Sequence, residues 1–312
     1  MRETRPSGSE GGGAEINRLS LPLSEKKATT TLQTVIDINS PYSISEDQIA
    51  NFRSNGFIHL KNVLTEAEIR HYEPELTRLV EQETAKLRPL AERGDYEKAF
   101  VQVENLWLRS TLAREFTFSR RFARMAAELL GVSGVRLYHD QALYKEAGGG
   151  TTRWHQDQSY FPLSTENVVT IWIPLQETSR EMGTLTFAKG SNRYAYKSDD
   201  VITKEGEEKM LTFLNAQGCE VIEEPFELGE VSFHYGWTAH TARPNCTDQL
   251  RKVMTIIYFE DGAQVLASDK PEHVVDRQLY LLDAFIGKVA DSPLTPVLWR
   301  DQCPQQHPER IA

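Results

Sequence analysis

Arg153-Trp154-His155-Gln156-Asp157 is the stretch on which the reading of this chain turns. A glycine-loosened approach, Lys145-Glu146-Ala147-Gly148-Gly149-Gly150-Thr151-Thr152, leads into it, and an aromatic exit, Tyr160-Phe161-Pro162-Leu163, follows. One residue separates His155 from Asp157. Alternate side chains of an extended strand leave from the same face, so both reach one point. An imidazole and a carboxylate at one point are two thirds of the set that holds non-heme Fe(II) with positions left open. His-x-Asp also arises by chance, so the motif needs a partner. His240, in Gly236-Trp237-Thr238-Ala239-His240-Thr241-Ala242-Arg243-Pro244-Asn245, is a candidate third ligand. His234, six residues earlier and expected on the same sheet region, competes with it. Arg251 opens the apolar strand Val253-Met254-Thr255-Ile256-Ile257-Tyr258. Beside a metal it offers a planar fork for one carboxylate; alone it reads as a surface salt bridge.

Composition narrows the class. The chain has 312 residues, 39% of them hydrophobic and 26% charged, the balance of a soluble globular protein. That length can hold two domains, yet all-β barrels and sandwiches of roughly 200–250 residues are routinely single. No apolar run approaches the roughly 18 residues of a membrane span, and the start, with Arg2, Glu3 and Arg5, lacks the apolar core of a signal peptide. Cys219, Cys246 and Cys303 are odd in number and scattered, which predicts a reduced, cytoplasmic setting. A net charge of -10 and a pI near 5.4 argue against a nucleic-acid partner.

In chain order, residues 1–40 are rich in Gly, Ser, Thr, Glu and Lys and read as a disordered tail; residues 41–312 read as one domain. Ser45 with Gln48 predicts a capped helix that stops at Gly56, and Phe57–Leu60 a strand. Thr65 with Glu68 caps a second helix carrying Ile69, Tyr72, Leu76, Leu79 and Val80 at helical spacing. His59 and His71 lie in these packing elements. Residues 97–104 read as extended, and Leu106–Leu130 as one helix stopping at Gly131. From Val135 the period becomes two, with strands over Val135–Lys145, Val168–Leu175, Gly183–Ala188, Glu220–Glu224, Val231–Tyr235 and Arg251–Phe259. Tyr194–Gln217 is polar and reads as a solvated connection, or as a flap over a site. Everything from about residue 262 is a C-terminal extension. Helices first and many short strands after give an α+β chain with a double-sheet roll.

His-x-Asp, a distant His and an Arg eleven residues beyond it resemble the pattern of Fe(II)/2-oxoglutarate oxygenases. The detail resembles the phytanoyl-CoA dioxygenase family. Carrying it are Trp154-His155-Gln156-Asp157, Trp172-Ile173-Pro174-Leu175, Gly183-Thr184-Leu185 leading to Gly190-Ser191-Asn192-Arg193, and Leu228-Gly229-Glu230 leading to His240 and Asn245. It spans about residues 43–262. The resemblance implies a double-stranded β-helix (jelly-roll) core, His155, Asp157 and His240 as iron ligands, and Arg251 on the distal carboxylate of 2-oxoglutarate. It implies Trp172 and Gln141 beside that cosubstrate, with Gln102 a looser match. Only His240 has the arginine at the family spacing, which leaves His234, and likewise His139, to packing or to a supporting place behind the ligands. Ala242 stands where some relatives carry a hydroxyl, so one cosubstrate hydrogen bond is lacking or comes from elsewhere.

Family chemistry implies that Fe(II), 2-oxoglutarate and O2 oxidise a C–H bond with release of succinate and CO2. Halogenating relatives carry a small residue in place of this carboxylate, so Asp157 favours hydroxylation or another oxidative C–H reaction over halogenation; cyclisation, desaturation and epoxidation use the same ligands. Tyr160, Phe161, Leu163, Phe233 and Trp237 are pocket wall or plain core, and Arg153 and Arg243 are anion contacts or solvated. The expected substrate is a small, partly apolar metabolite such as a natural-product or lipid-like intermediate. Two rivals are a metal- and 2-oxoglutarate-binding sensor without turnover, and a cupin-like metalloenzyme that needs no keto acid. Arg251 has no use in the latter.

Overall fold

The computed structural model describes residues 36–196 and 203–301. Residues 1–35 of the expected tail lie outside the described residues, but residues 36–40 are packed. Ile38 is buried, its carbonyl accepts from the Ser119 hydroxyl, and the Arg121 guanidinium donates to the carbonyls of Asp37 and Ser40.

The helical half follows its caps. Helix α1 (Glu46–Asn55) starts in the Ser45–Gln48 capping box and stops at Gly56, whose φ of +86° is left-handed. Strand β1 (Phe57–Leu60) leads to α2 (Glu66–Thr84), capped by Thr65 and Glu68, which buries Ile69, Tyr72, Leu76, Leu79 and Val80 along one face. Two stretches differ from expectation. Residues 97–104 divide into α3 (Asp95–Ala99) and β2 (Val101–Glu104), because the Glu97 carboxylate turns back to the Gly94 N–H and closes a helical turn. The single helix expected over 106–130 is a 3-10 turn followed by α4 (Thr111–Thr117) and α5 (Arg120–Leu130). Ser119 makes the break, its hydroxyl capping Phe122. Buried Asp140 takes the N–H groups of Leu106 and Trp107 and the Thr117 hydroxyl, which holds the first turn in place.

The strand half comprises β3 (Gly134–Tyr144), β4 (Thr152–His155), β5 (Val168–Pro174), β6 (Leu185–Ala188), α6 (Lys204–Ala216), β7 (Val221–Glu223), β8 (Val231–Tyr235), β9 (His240–Ala242), β10 (Val253–Glu260), α7 (Pro271–Leu279) and β11 (Val297–Arg300). Every pairing between these strands is antiparallel. The large sheet runs β1-β8-β5-β10-β3, with β2 and β11 both pairing β3; the small sheet runs β4-β9-β6-β7. From β3 to β10 the chain passes back and forth between the sheets, β6 and β7 forming the one consecutive pair. That winding is a jelly roll, the expected double-stranded core. One face of the large sheet buries α1, α2, α4 and α5 around Phe52, Tyr72, Phe116 and Phe122. The other faces the small sheet, and the cavity described below lies between them.

Two local features shape that cavity. Ile257 sits opposite His139 but Tyr258 opposite Leu137, so Tyr138 is the extra residue of a bulge. A bulge re-aims side chains, and Tyr138 and His139 both reach Tyr280 beyond α7. Of the polar stretch 194–217, residues 197–202 lie outside the described residues, while α6 packs Met210 and Leu214 against Ala188, Ala239 and Trp154. Among the described residues, no helix is long and apolar enough to cross a membrane.

Candidate metal and cosubstrate site

The small sheet sets β4 beside β9 and pairs His155 with His240, their ring centroids 4.2 Å apart. Contrary to the expected continuous strand, β4 ends at His155, and Asp157 begins a 3-10 turn. Alternation survives because Gln156 between them stays extended, at φ -124° and ψ 120°. Gln156 is buried, its amide nitrogen donating to the carbonyls of Tyr194 and Trp237 and its oxygen accepting from the Tyr196 N–H. Anchored there, it leaves its two neighbours on the cavity side.

The histidines are pre-oriented. Nδ1 of His155 lies 2.7 Å from the Arg153 carbonyl and Nδ1 of His240 2.9 Å from the Thr238 carbonyl. A carbonyl only accepts, so each Nδ1 carries the hydrogen and each Nε2 keeps its lone pair. Those Nε2 atoms stand 3.4 and 3.6 Å from Asp157 Oδ1. The other carboxylate oxygen accepts from the Thr170 hydroxyl at 3.1 Å and faces His234 Nε2 at 3.3 Å. One donor atom from each of His155, Asp157 and His240 lies within 4.8 Å of the others. His234 is on β8 of the large sheet, not on the sheet that carries His240; from across the roll its ring lies 4.4 Å from that of His240 and faces the carboxylate.

Charge follows the same geometry. Burial would raise the Asp157 carboxyl, but His240, His155 and His234 hold it well below the usual carboxylate range. Burial lowers His155, yet the Asp157 contact outweighs it and raises the group. Burial and the nearby His155 drive His240 well below its ordinary value. An ionised carboxylate faced by the Nε2 atoms of two imidazoles is a two-histidine, one-carboxylate donor set that suits divalent iron.

Arg251 lies at one end of the cavity, 2% exposed, its guanidinium 5.7 Å from the centre of the Trp172 ring. It donates to the carbonyls of Gly183 and Leu143, its Nε has no partner, and among the described residues no carboxylate pairs with it. Burial pulls its pKa down to about 9. Gly183 makes the approach possible: its φ is +78°, and a Cβ there would stand 2.2 Å from the Arg243 carbonyl. Neighbouring Lys145 is fully buried, donates to the Gly150 and Arg243 carbonyls, and is pushed down to about 6 by burial and by Arg251. Gln141 on β3 accepts from the Gln102 amide on β2 at 2.6 Å, and both line the cavity. Thr255 lines it too, paired in register with Trp172, whereas Ala242 brings no hydroxyl.

The cavity, about 540 Å³, runs from Arg251 past the histidine–aspartate cluster to α7. Tyr160 and Phe161 are on its wall. Leu163 belongs to the core around Val265, Phe233 to the core behind the large sheet, and Trp237 lies off the wall. Arg153 is paired with Glu207 and Asp95, and Arg243 with Glu223; neither lines this cavity. His59 sits between Glu224 and Glu230, while the His71 ring meets the edge of Tyr72. Sequence reasoning missed Thr170, Thr255, Gln156 and α7. The alternation that exposes His155 and Asp157 also buries Gln156, a signal that was available. The other roles depend on which strands pair.

Comparison with known proteins agrees with this geometry. The phytanoyl-CoA dioxygenase (PhyH) family model matches residues 52–253. A probable alpha-ketoglutarate-dependent hypophosphite dioxygenase of Stutzerimonas stutzeri is 26% identical over 171 residues, 53% of this chain. The chain spans 59% of that relative's length. Among solved structures, the non-heme alpha ketoglutarate dependent carbocyclase SnoK from nogalamycin biosynthesis superposes with a TM-score of 0.67 at 22% identity, over 82% of this chain and 98% of that one. The epimerase SnoN, solved with Fe3+, alpha ketoglutarate and nogalamycin RO, gives 0.66 at 25% identity, over 81% and 98%.

Proposed function

The chain belongs to the phytanoyl-CoA dioxygenase family, within the Fe(II)/2-oxoglutarate-dependent dioxygenases, and from that premise we propose that it hydroxylates a C–H bond of a small, partly apolar metabolite at an iron held by His155, Asp157 and His240. The observation that carries this is the convergence of three donor atoms within 4.8 Å, with both histidines already fixed in the tautomer that ligates. Bound there, iron and 2-oxoglutarate supply the oxidising power: substrate C–H, O2 and the keto acid give C–OH, succinate and CO2.

The chain's own residues bind, orient and exclude. Thr170 and His234 hold Asp157 by Oδ2, which leaves Oδ1 for the metal. Arg251 takes the distal carboxylate of 2-oxoglutarate, since a buried guanidinium with no counter-ion is costly until an anion arrives. Trp172 walls that cosubstrate, Gln141 contacts it, and Gln102 holds Gln141 in place. Thr255 supplies the hydroxyl that Ala242 lacks. A keto-acid-free metalloenzyme leaves Arg251 without a purpose. The origin of SnoK in nogalamycin biosynthesis and the nogalamycin RO held by SnoN support a small-molecule substrate here.

The test is an anaerobic titration with Fe(II) and then 2-oxoglutarate, reading the weak visible band of an iron-chelated keto acid. The band forms in the wild type, disappears in Asp157→Ala and His240→Ala, and persists in His234→Gln. Iron binding without a band removes the oxygenase reading; a His234→Gln loss equal to that of His240→Ala reverses the ligand assignment.

A further inference from the structure

We propose that the end of the cavity beneath α7 recognises a protonated amine of the substrate, with Glu104, Asp276 and His139 as its hydrogen-bond acceptors. The inference rests on the cavity being the substrate site, as proposed above. Glu104 ends β2 and is paired in register with Gln141; Asp276 comes from α7; His139 stands at the bulge of β3. All three line the same cavity.

What marks this end is the direction of its hydrogen bonds. The Tyr138 hydroxyl donates to Asp276 at 2.6 Å, the Gln102 amide to Glu104 at 2.9 Å, and the Tyr96 hydroxyl to Gln102 at 2.9 Å. Tyr280 hydrogen-bonds Glu104. These donors are spent on the protein, while the acceptors keep lone pairs to spare. His139 is the independent sign of a ligand. It is 5% exposed, its Nδ1 lies 3.3 Å from the Asp140 carbonyl, and its ring stacks on Tyr280 at 4.4 Å. Its Nε2 has no partner among the described residues. Burial lowers the His139 pKa, so the ring is neutral and that nitrogen accepts.

Charge points the same way. Arg251, at the opposite end, is the only Lys or Arg among the described residues lining the cavity, and Lys270, just before α7, and Arg277 on it are off the wall. Burial, with Glu104 and Glu272 adding to it, raises Asp276 to about 7. Carboxylates left together in a half-dry space favour a ligand that brings positive charge. An ammonium has three donors for three acceptors, and Tyr96, Phe100, Tyr160 and Phe161 offer aromatic faces to a cation. A phosphate or carboxylate at this end finds no lysine or arginine among the described residues that line it. Glu104 and His139 lie within the family match, which ends at residue 253, whereas Asp276 and Tyr280 lie beyond it, so the C-terminal extension adds one acceptor and the ring stacked on His139.

The test uses the full chain without iron or 2-oxoglutarate, titrated calorimetrically at pH 7 with 2-phenylethylammonium and, separately, with its neutral counterpart 2-phenylethanol. The ammonium is expected to bind at least tenfold tighter. In the double variant Glu104→Gln, Asp276→Asn its affinity falls to that of the alcohol, whose own affinity stays unchanged and so reports an intact cavity. If the double variant does not fold, Asp276→Asn alone serves, with at least a threefold drop in ammonium affinity and none for the alcohol. Equal binding of both probes to the wild type, a preference that survives substitution, or no ammonium binding overturns the proposal. Because iron and cosubstrate are left out, that failure is separate from failure of the keto-acid band.

Discussion

Gln156 fixes two other residues by burying itself. Its amide meets two carbonyls and one N–H on segments that pass behind the site, and His155 and Asp157 are thereby turned to the front. Gln156→Ala leaves those backbone groups dry and unpaired, at about 1–3 kcal/mol for an unsatisfied buried group. The expected outcome is a lower urea midpoint with an unchanged slope, together with weaker iron binding in a direct metal titration; full iron affinity in the variant removes the positioning role. Arg251 tests the other end. Truncating one partner of a buried charge pair costs about 2–5 kcal/mol, so Arg251→Ala raises the 2-oxoglutarate concentration at half-saturation by at least roughly thirtyfold and spares iron. Arg251→Lys recovers little of this, because a point charge on a flexible stem does not reproduce the fork. Cosubstrate binding unchanged in Arg251→Ala ends its assignment. His155 and Asp157 were legible in the sequence because their relation is covalent: two residues along extended backbone share a face. Thr170 and Thr255 were not, because their place at the site comes from the pairing of β5 and β10, a contact of distant segments.

Elements were readable where a local rule governed them. The boxes at Ser45 and Thr65 and the stop at Gly131 are short-range chemistry, and α1, α2 and α5 begin or end where they say. The break at Ser119 was hidden, since it depends on the Ile38 carbonyl and on Asp140 holding the preceding turn. α7 was hidden more deeply: none of its residues is fully buried, so no apolar stripe advertises it. Its Asp276 nevertheless couples the element to pH. The carboxyl rises from the ordinary 3.8 to about 7 in the fold, chiefly through burial. A group raised in the folded state contributes its stability below the unfolded value and loses it as pH rises through the folded one. The window is therefore about pH 4 to 7. Asp276→Asn, which can still accept from Tyr138, removes that titration, and denaturant unfolding across the window should show wild type losing stability relative to the variant as pH rises. Parallel curves would place the Asp276 carboxyl at its ordinary value.

In the whole molecule the two sheets contribute unequally to what they enclose. The small sheet and the turn after β4 bring His155, Asp157 and His240, while the large sheet brings Trp172, Thr170, Gln141 and His234, with Arg251 at its approach. Occupation of the site therefore ties one sheet to the other across the cavity, and binding must appear as stability of the roll. A ligand present at a hundredfold over its dissociation constant adds about 2.7 kcal/mol. For a domain of this size each kcal/mol moves the melting temperature by roughly 2–4 °C, so iron with 2-oxoglutarate should raise it by about 5–10 °C in an anaerobic thermal melt. The parts of that rise are separable by residue. His240→Ala loses nearly all of it, because the keto acid chelates through the metal. Arg251→Ala keeps the iron increment and loses the cosubstrate increment. His234→Gln keeps most of both, since a glutamine amide can still donate to Asp157. A rise that 2-oxoglutarate produces equally without iron would mean that the acid binds apart from the metal, and the chelate geometry assigned to the cavity would have to be abandoned.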